Sequence, residues 1–89
     1  MLRVTSAANE YLRHVRDAKG IDSKAGARFV RRSGGIGLTF APAPAPGDQI
    51  LAGADLPVYI PDDLAAALAT SIVDVRREDG GPRLVLRPQ

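Results

Sequence analysis

Ala27-Arg28-Phe29-Val30-Arg31-Arg32-Ser33-Gly34-Gly35-Ile36-Gly37-Leu38-Thr39-Phe40 sets β-branched and aromatic residues on both sides of a Gly-Gly pair. Such residues suit the pleated, half-buried surface of a strand. Ser33-Gly34-Gly35 breaks the run, so the stretch predicts two strands, 27–32 and 36–40, joined as an antiparallel hairpin. Gly34-Gly35-Ile36-Gly37 could also suggest a phosphate loop. It lacks the lysine and hydroxyl of a P-loop, however, and no helical pattern follows it. A hairpin turn accounts for the glycines.

Towards the N-terminus, Arg3-Val4 reads as a short opening strand. Thr5-Ser6 offers a hydroxyl to cap a helix. From Ala7 to Lys19 the spacing is helical: Ala8, Leu12 and Val15 share a face, with Tyr11 and Ala18 beside them. Lys19 suits the negative end of the helix dipole, and Gly20 supplies a left-handed cap. Asp22-Ser23-Lys24 then turns the chain into the hairpin.

Towards the C-terminus, Ala41-Pro42-Ala43-Pro44-Ala45-Pro46-Gly47 fixes φ at every second residue. It reads as a stiff loop rather than a recognition ligand, because it is short and internal. Gln49-Ile50-Leu51 and Val58-Tyr59-Ile60 follow as short strands joined by Gly53-Ala54-Asp55. Pro61 opens a helix at a position that needs no N–H donor. Asp62 and Asp63 favour its first turn, and Leu64 and Leu68 share its apolar face. Ile72–Val75 and Arg83–Arg87 are strands, with a turn over Glu78-Asp79-Gly80-Gly81-Pro82. The expectation is a single α+β domain over residues 1–89, mostly β, with no internal repeat and no dividing linker.

Composition bounds the chemistry. A chain of 89 residues buries only about 60–65% of its unfolded surface. Association into a homodimer is one way for it to gain burial. The chain has no cysteine, which removes disulfides and thiolate-bound zinc or iron–sulfur clusters. It also tilts the expected compartment towards the cytoplasm. Met1-Leu2-Arg3-Val4-Thr5 has no apolar leader pattern, and no apolar run nears the roughly 20 residues of a membrane span. The net charge is only +2 although the pI is 9.5. General attraction to nucleic acid or anionic lipid is therefore weak, and only a local cluster could bind them.

Candidate reactive groups are few. His14 shares a helical face with Glu10 and Asp17, but there is no second histidine to complete a metal site. Ser6, Ser23, Ser33 and Ser71 lack a nucleophile elbow, and only His14 could serve as their histidine base. Asp62 and Asp63 point to different helical faces and need no role beyond capping. Arginine forms the best polar cluster. Arg28, Val30 and Arg32 would share one strand face, as would Arg83, Val85 and Arg87. If those two strands pair, four guanidinium groups stud one sheet surface. That surface could bind phosphates, RNA or an acidic protein. A solvated face balanced by Asp74 and Glu78 explains it more simply, since aromatic surface for stacking bases is scarce.

The order of these elements resembles the HesB/IscA family, the A-type carriers of iron–sulfur cluster assembly. Val4-Thr5-Ser6-Ala7-Ala8, with Leu12 and Val15, is similar to the family's opening. Ser33 to Phe40 is similar to its Gly-Gly-Cys-Ser-Gly-Phe-x-Tyr motif. Val58-Tyr59-Ile60-Pro61, Ile72-Val73-Asp74-Val75 and Leu84-Val85-Leu86-Arg87-Pro88 follow its strand–helix–strand tail. The resemblance spans nearly the whole chain. It implies short mixed and antiparallel sheets packed with two helices.

The departures concern the ligands. The family's first cysteine aligns with Gly35, or with Ile36 after one deletion. Its other two belong to a Cys-Gly-Cys tail past the final strand, where this sequence reads Pro88-Gln89. The acidic loop usual after the glycine-rich strand is replaced by the Ala-Pro repeat. The resemblance therefore implies a non-enzymatic binding or scaffold domain without cofactor or metal. Its expected contact surface includes Gly34, Gly35, Ile36 and Gly37, with a protein partner or a second copy. The alternative is a small basic module binding nucleic acid or another polyanion through Arg28, Arg31, Arg32, Arg83 and Arg87.

Overall fold

The helix start read at Thr5 is built as expected. Thr5 is extended (φ −69°, ψ 158°), and its hydroxyl accepts from the Ala8 amide at 3.1 Å. That bond satisfies one of the donors orphaned at a helix start. The computed structural model describes residues 2–51 and 56–89. Helix α1 spans Ser6–Ala18, and Gly20 leaves it at φ 71°, where a glycine escapes the Cβ penalty. Its buried stripe is Ala8, Asn9, Leu12 and Arg16. Two of these are polar, and each is held by a backbone carbonyl. Asn9 Nδ2 donates to Leu56 O at 3.0 Å, and Arg16 Nη1 donates to Ala25 O at 3.2 Å.

The predicted hairpin is present. Strand β2 (Gly26–Arg32) pairs antiparallel with β3 (Gly35–Ala41), Phe29 opposite Leu38 and Arg32 opposite Gly35. Strand β4 (Gln49–Leu51) runs antiparallel to β5 (Val58–Ile60), and β5 runs parallel to β2. These four form a sheet in the order β3-β2-β5-β4. The expected Gly53-Ala54-Asp55 link between β4 and β5 lies outside the described residues.

Helix α2 (Asp62–Leu68) follows with Pro61 as its N-cap and buries Leu64 and Leu68. Strand β1 (Arg3–Val4) pairs parallel with β6 (Ser71–Glu78), which pairs antiparallel with β7 (Gly81–Pro88). Among the described residues the fold is thus α+β and mostly β, with two helices and two mixed sheets.

One core holds these layers together. Ala8 and Leu12 of α1, Phe29 of β2, Leu64 and Leu68 of α2 and Val73 of β6 all belong to it. Ile36, Leu38 and Phe40 of β3 pack at its margin. Period-2 alternation along β2 sends Ala27 and Phe29 inward and Arg28 and Val30 outward.

The paired arginine strands do not form. β2 and β7 lie in different sheets, so Arg28 and Arg32 are not hydrogen-bonded neighbours of Arg83 and Arg87. Both strands have the alternation of a half-exposed strand. That pattern specifies a face, not a pairing partner.

Candidate interaction surface

The glycine-rich turn is bare. Ser33 and Gly34 link β2 to β3, the Gly34 amide donates to Arg32 O at 3.0 Å, and Gly35 enters β3 at φ 143°. A Cβ added at Gly34 or Gly35 would meet nothing within 4 Å. Ile36 instead turns inward and packs against the core. Gly37 is more crowded. The Arg32 side chain lies across it, and an added Cβ would collide with Nε and Cδ of that arginine. The hairpin thus lays the Arg32 side chain over its own backbone.

The other candidate arginines are engaged. Arg28 grips Asp48 with two bonds, Nε to Oδ2 at 3.0 Å and Nη2 to Oδ1 at 3.1 Å. This fork geometry is the strong form of the contact. Asp48 also accepts from the Ala45 amide at 2.8 Å, so the pair pins the Ala-Pro loop to β2. The Asp48 side chain is only 1% exposed. Arg31 lies 3.6 Å from Asp63, and Arg83 lies 3.8 Å from Glu78, both pairs well exposed. Arg87 donates to Asp74 at 3.0 Å. Asp74 and Glu78 balance Arg87 and Arg83, as the sequence suggested. The Asp48 and Asp63 partnerships were not legible, because they join residues from separate elements.

Asp74 is a junction. It accepts from the Thr5 hydroxyl at 2.9 Å, from the Val75 amide at 2.8 Å and from Arg87. These bonds favour its charged form and hold its carboxyl below the usual range, with the Val75 amide the largest cause. The Arg28 contact does the same for Asp48, helped by the Ala45 amide. A carboxyl whose pKa is depressed by folding contributes stability above its unfolded pKa, lost as pH falls through the lowered value. Acid should therefore destabilise the protein below about pH 4. The double variant Asp48→Asn/Asp74→Asn should have a lower Tm at pH 7 and a flatter fall of Tm in acid. Thermal melts followed by circular dichroism across pH check both slopes.

His14 is exposed on α1. Among the described residues, no group of three or more His, Cys, Asp or Glu side chains could hold a metal ion. The Gly35 and Ile36 positions offer no donor side chain.

Comparison with solved structures places the fold. The chain superposes on Escherichia coli SufA, described as involved in biosynthesis of iron–sulfur clusters, with TM-score 0.81 and 19% identity. That match covers 98% of this chain and 84% of SufA. It superposes on IscA with a 2Fe–2S cluster at TM-score 0.79 and 18% identity, covering 99% and 85% of the two chains. An Aquifex aeolicus protein solved by NMR matches at TM-score 0.78 and 18% identity, over 99% and 91%. No family model and no curated protein matches the sequence.

Proposed function

We propose that this chain is a HesB/IscA-like domain that acts by binding protein rather than by catalysis or by ligating a cluster itself. One observation carries the reading. The position where the family places its first cysteine is either a bare turn glycine, Gly35, or a core-packed isoleucine, Ile36. An iron–sulfur cluster is held by thiolates, with imidazole as the usual replacement. The chain has no cysteine and a single histidine, so its residues do not fit that cargo. Likeness to SufA and IscA supports a place near iron–sulfur assembly. The missing thiols support a cytoplasmic location, and no described helix is long and apolar enough to cross a membrane.

Anaerobic reconstitution with iron and sulfide should leave the protein colourless. A stoichiometric cluster absorbance would overturn the proposal. Binding of a polyanion is the weaker reading, because Arg28, Arg31, Arg83 and Arg87 each already face a carboxylate.

A further inference from the structure

A sheet edge presents unpaired backbone donors and acceptors, and proteins usually guard it. Among the described residues this fold has four edges: β1 and β7 in one sheet, β3 and β4 in the other. β1 has two residues and β4 has three, too short to template a partner. β7 carries Pro82, Arg83, Arg87 and Pro88. β3 has none of these guards. Its seven residues, Gly-Ile-Gly-Leu-Thr-Phe-Ala, contain neither charge nor proline.

A groove of about 400 Å³ runs beside this edge. Leu38, Thr39 and Phe40 all line it. Consecutive strand residues point to opposite faces, so a groove touching all three reaches the open edge of the strand. Val15, Ile21 and Leu84 make its far side apolar. Its only charged lining residues are Lys19 and Arg32, and neither has a carboxylate within ion-pair distance among the described residues. Arg32 is the side chain that lies over Gly37.

We propose that β3 and this groove receive an extended segment of a partner protein that alternates apolar and acidic residues and adds a strand to the four-stranded sheet. Backbone pairing supplies the affinity of such strand addition, and alternate side chains supply its specificity. The apolar side chains would enter the groove, and the carboxylates would meet Lys19 and Arg32. A second copy fits less well. Its own β3 brings no carboxylate, and its Lys19 and Arg32 would face the same cations. The inference rests on reading the domain as a protein-binding module.

The test selects a displayed library of random short peptides against the whole folded chain. The winning peptide is then titrated into isotopically labelled protein. Enriched sequences should alternate apolar residues with Asp or Glu and lack proline, and the largest amide shifts should fall on residues 35–41. Lys19→Glu/Arg32→Glu, both changes at exposed positions, should weaken binding about tenfold or more, with Tm lowered only by the few degrees that a reversed charge at the C-terminus of α1 costs. Basic winners, no enrichment, or affinity unchanged in the double variant would overturn the proposal. So would concentration-dependent dimers joined through β3. Shifts centred instead on the exposed Ile50 would overturn this site while leaving a protein-binding role standing.

Discussion

Phe29→Ala should cost about 3–5 kcal/mol of unfolding free energy. Phe29 is 1% exposed and among the largest fully buried side chains. It sits on β2, which has a partner strand on each side, so the backbone around the resulting cavity is held by two ladders and can collapse little. A domain of this size has a total stability of only about 4–13 kcal/mol. The variant should therefore lose between about a quarter and all of the domain's stability. Urea titration followed by circular dichroism measures the loss. Phe40→Ala is the comparison. Phe40 lies on edge strand β3 and is only half-buried, so its removal should cost clearly less. Equal losses would mean that the core is not centred on β2.

That core was readable because its residues obey local periods. Ala8 and Leu12 recur at helical spacing, Ala27 and Phe29 alternate, and Leu64 and Leu68 share a helix face; all six are buried. The Thr5 cap and the left-handed Gly20 also announce themselves locally. What stayed hidden depends on pairing across the chain. Nothing in the local pattern marks Arg16 for burial, yet it is 4% exposed, because the turn after α1 brings the Ala25 carbonyl to its guanidinium. Asn9 is drawn in by Leu56 in the same way. Arg28 reads as free charge until the Ala-Pro loop returns Asp48 to it. The two arginine strands look alike in sequence because each is half-exposed, but β7 is recruited by β6 and β2 by β3 and β5. The candidate surface was legible as a glycine-rich hairpin. Its open edge and the Lys19 cation beside it were not, since neither follows from the hairpin's own residues.

Gly26→Val should be the other severe lesion, and the reason lies at the seam of the four-stranded sheet. A Cβ at Gly26 would stand 2.6 Å from the Pro57 carbonyl oxygen and 2.8–2.9 Å from the Tyr59 ring. The oxygen belongs to the backbone entering β5, and it accepts from the Ala27 amide at 2.9 Å. The clash cannot be relieved by a rotamer change alone. Either β5 moves away from β2, breaking the parallel Ala27–Val58 pairing, or the backbone of Gly26 leaves the ladder. Overpacking of this kind costs about 1–3 kcal/mol, and the lost pairing adds to it because β4 reaches the sheet only through β5. Hydrogen exchange should show the β4–β5 amides losing protection before those of β6 and β7. Gly34→Ala, in the turn between β2 and β3, provides the contrast. An added Cβ there meets open space and φ is not left-handed, so this change should be neutral, or stabilising by about 0.4–1 kcal/mol through the unfolded chain. If both substitutions were equally harmless, the close approach of β2 to Pro57 would be wrong, and with it the crossing that orders the sheet as β3-β2-β5-β4.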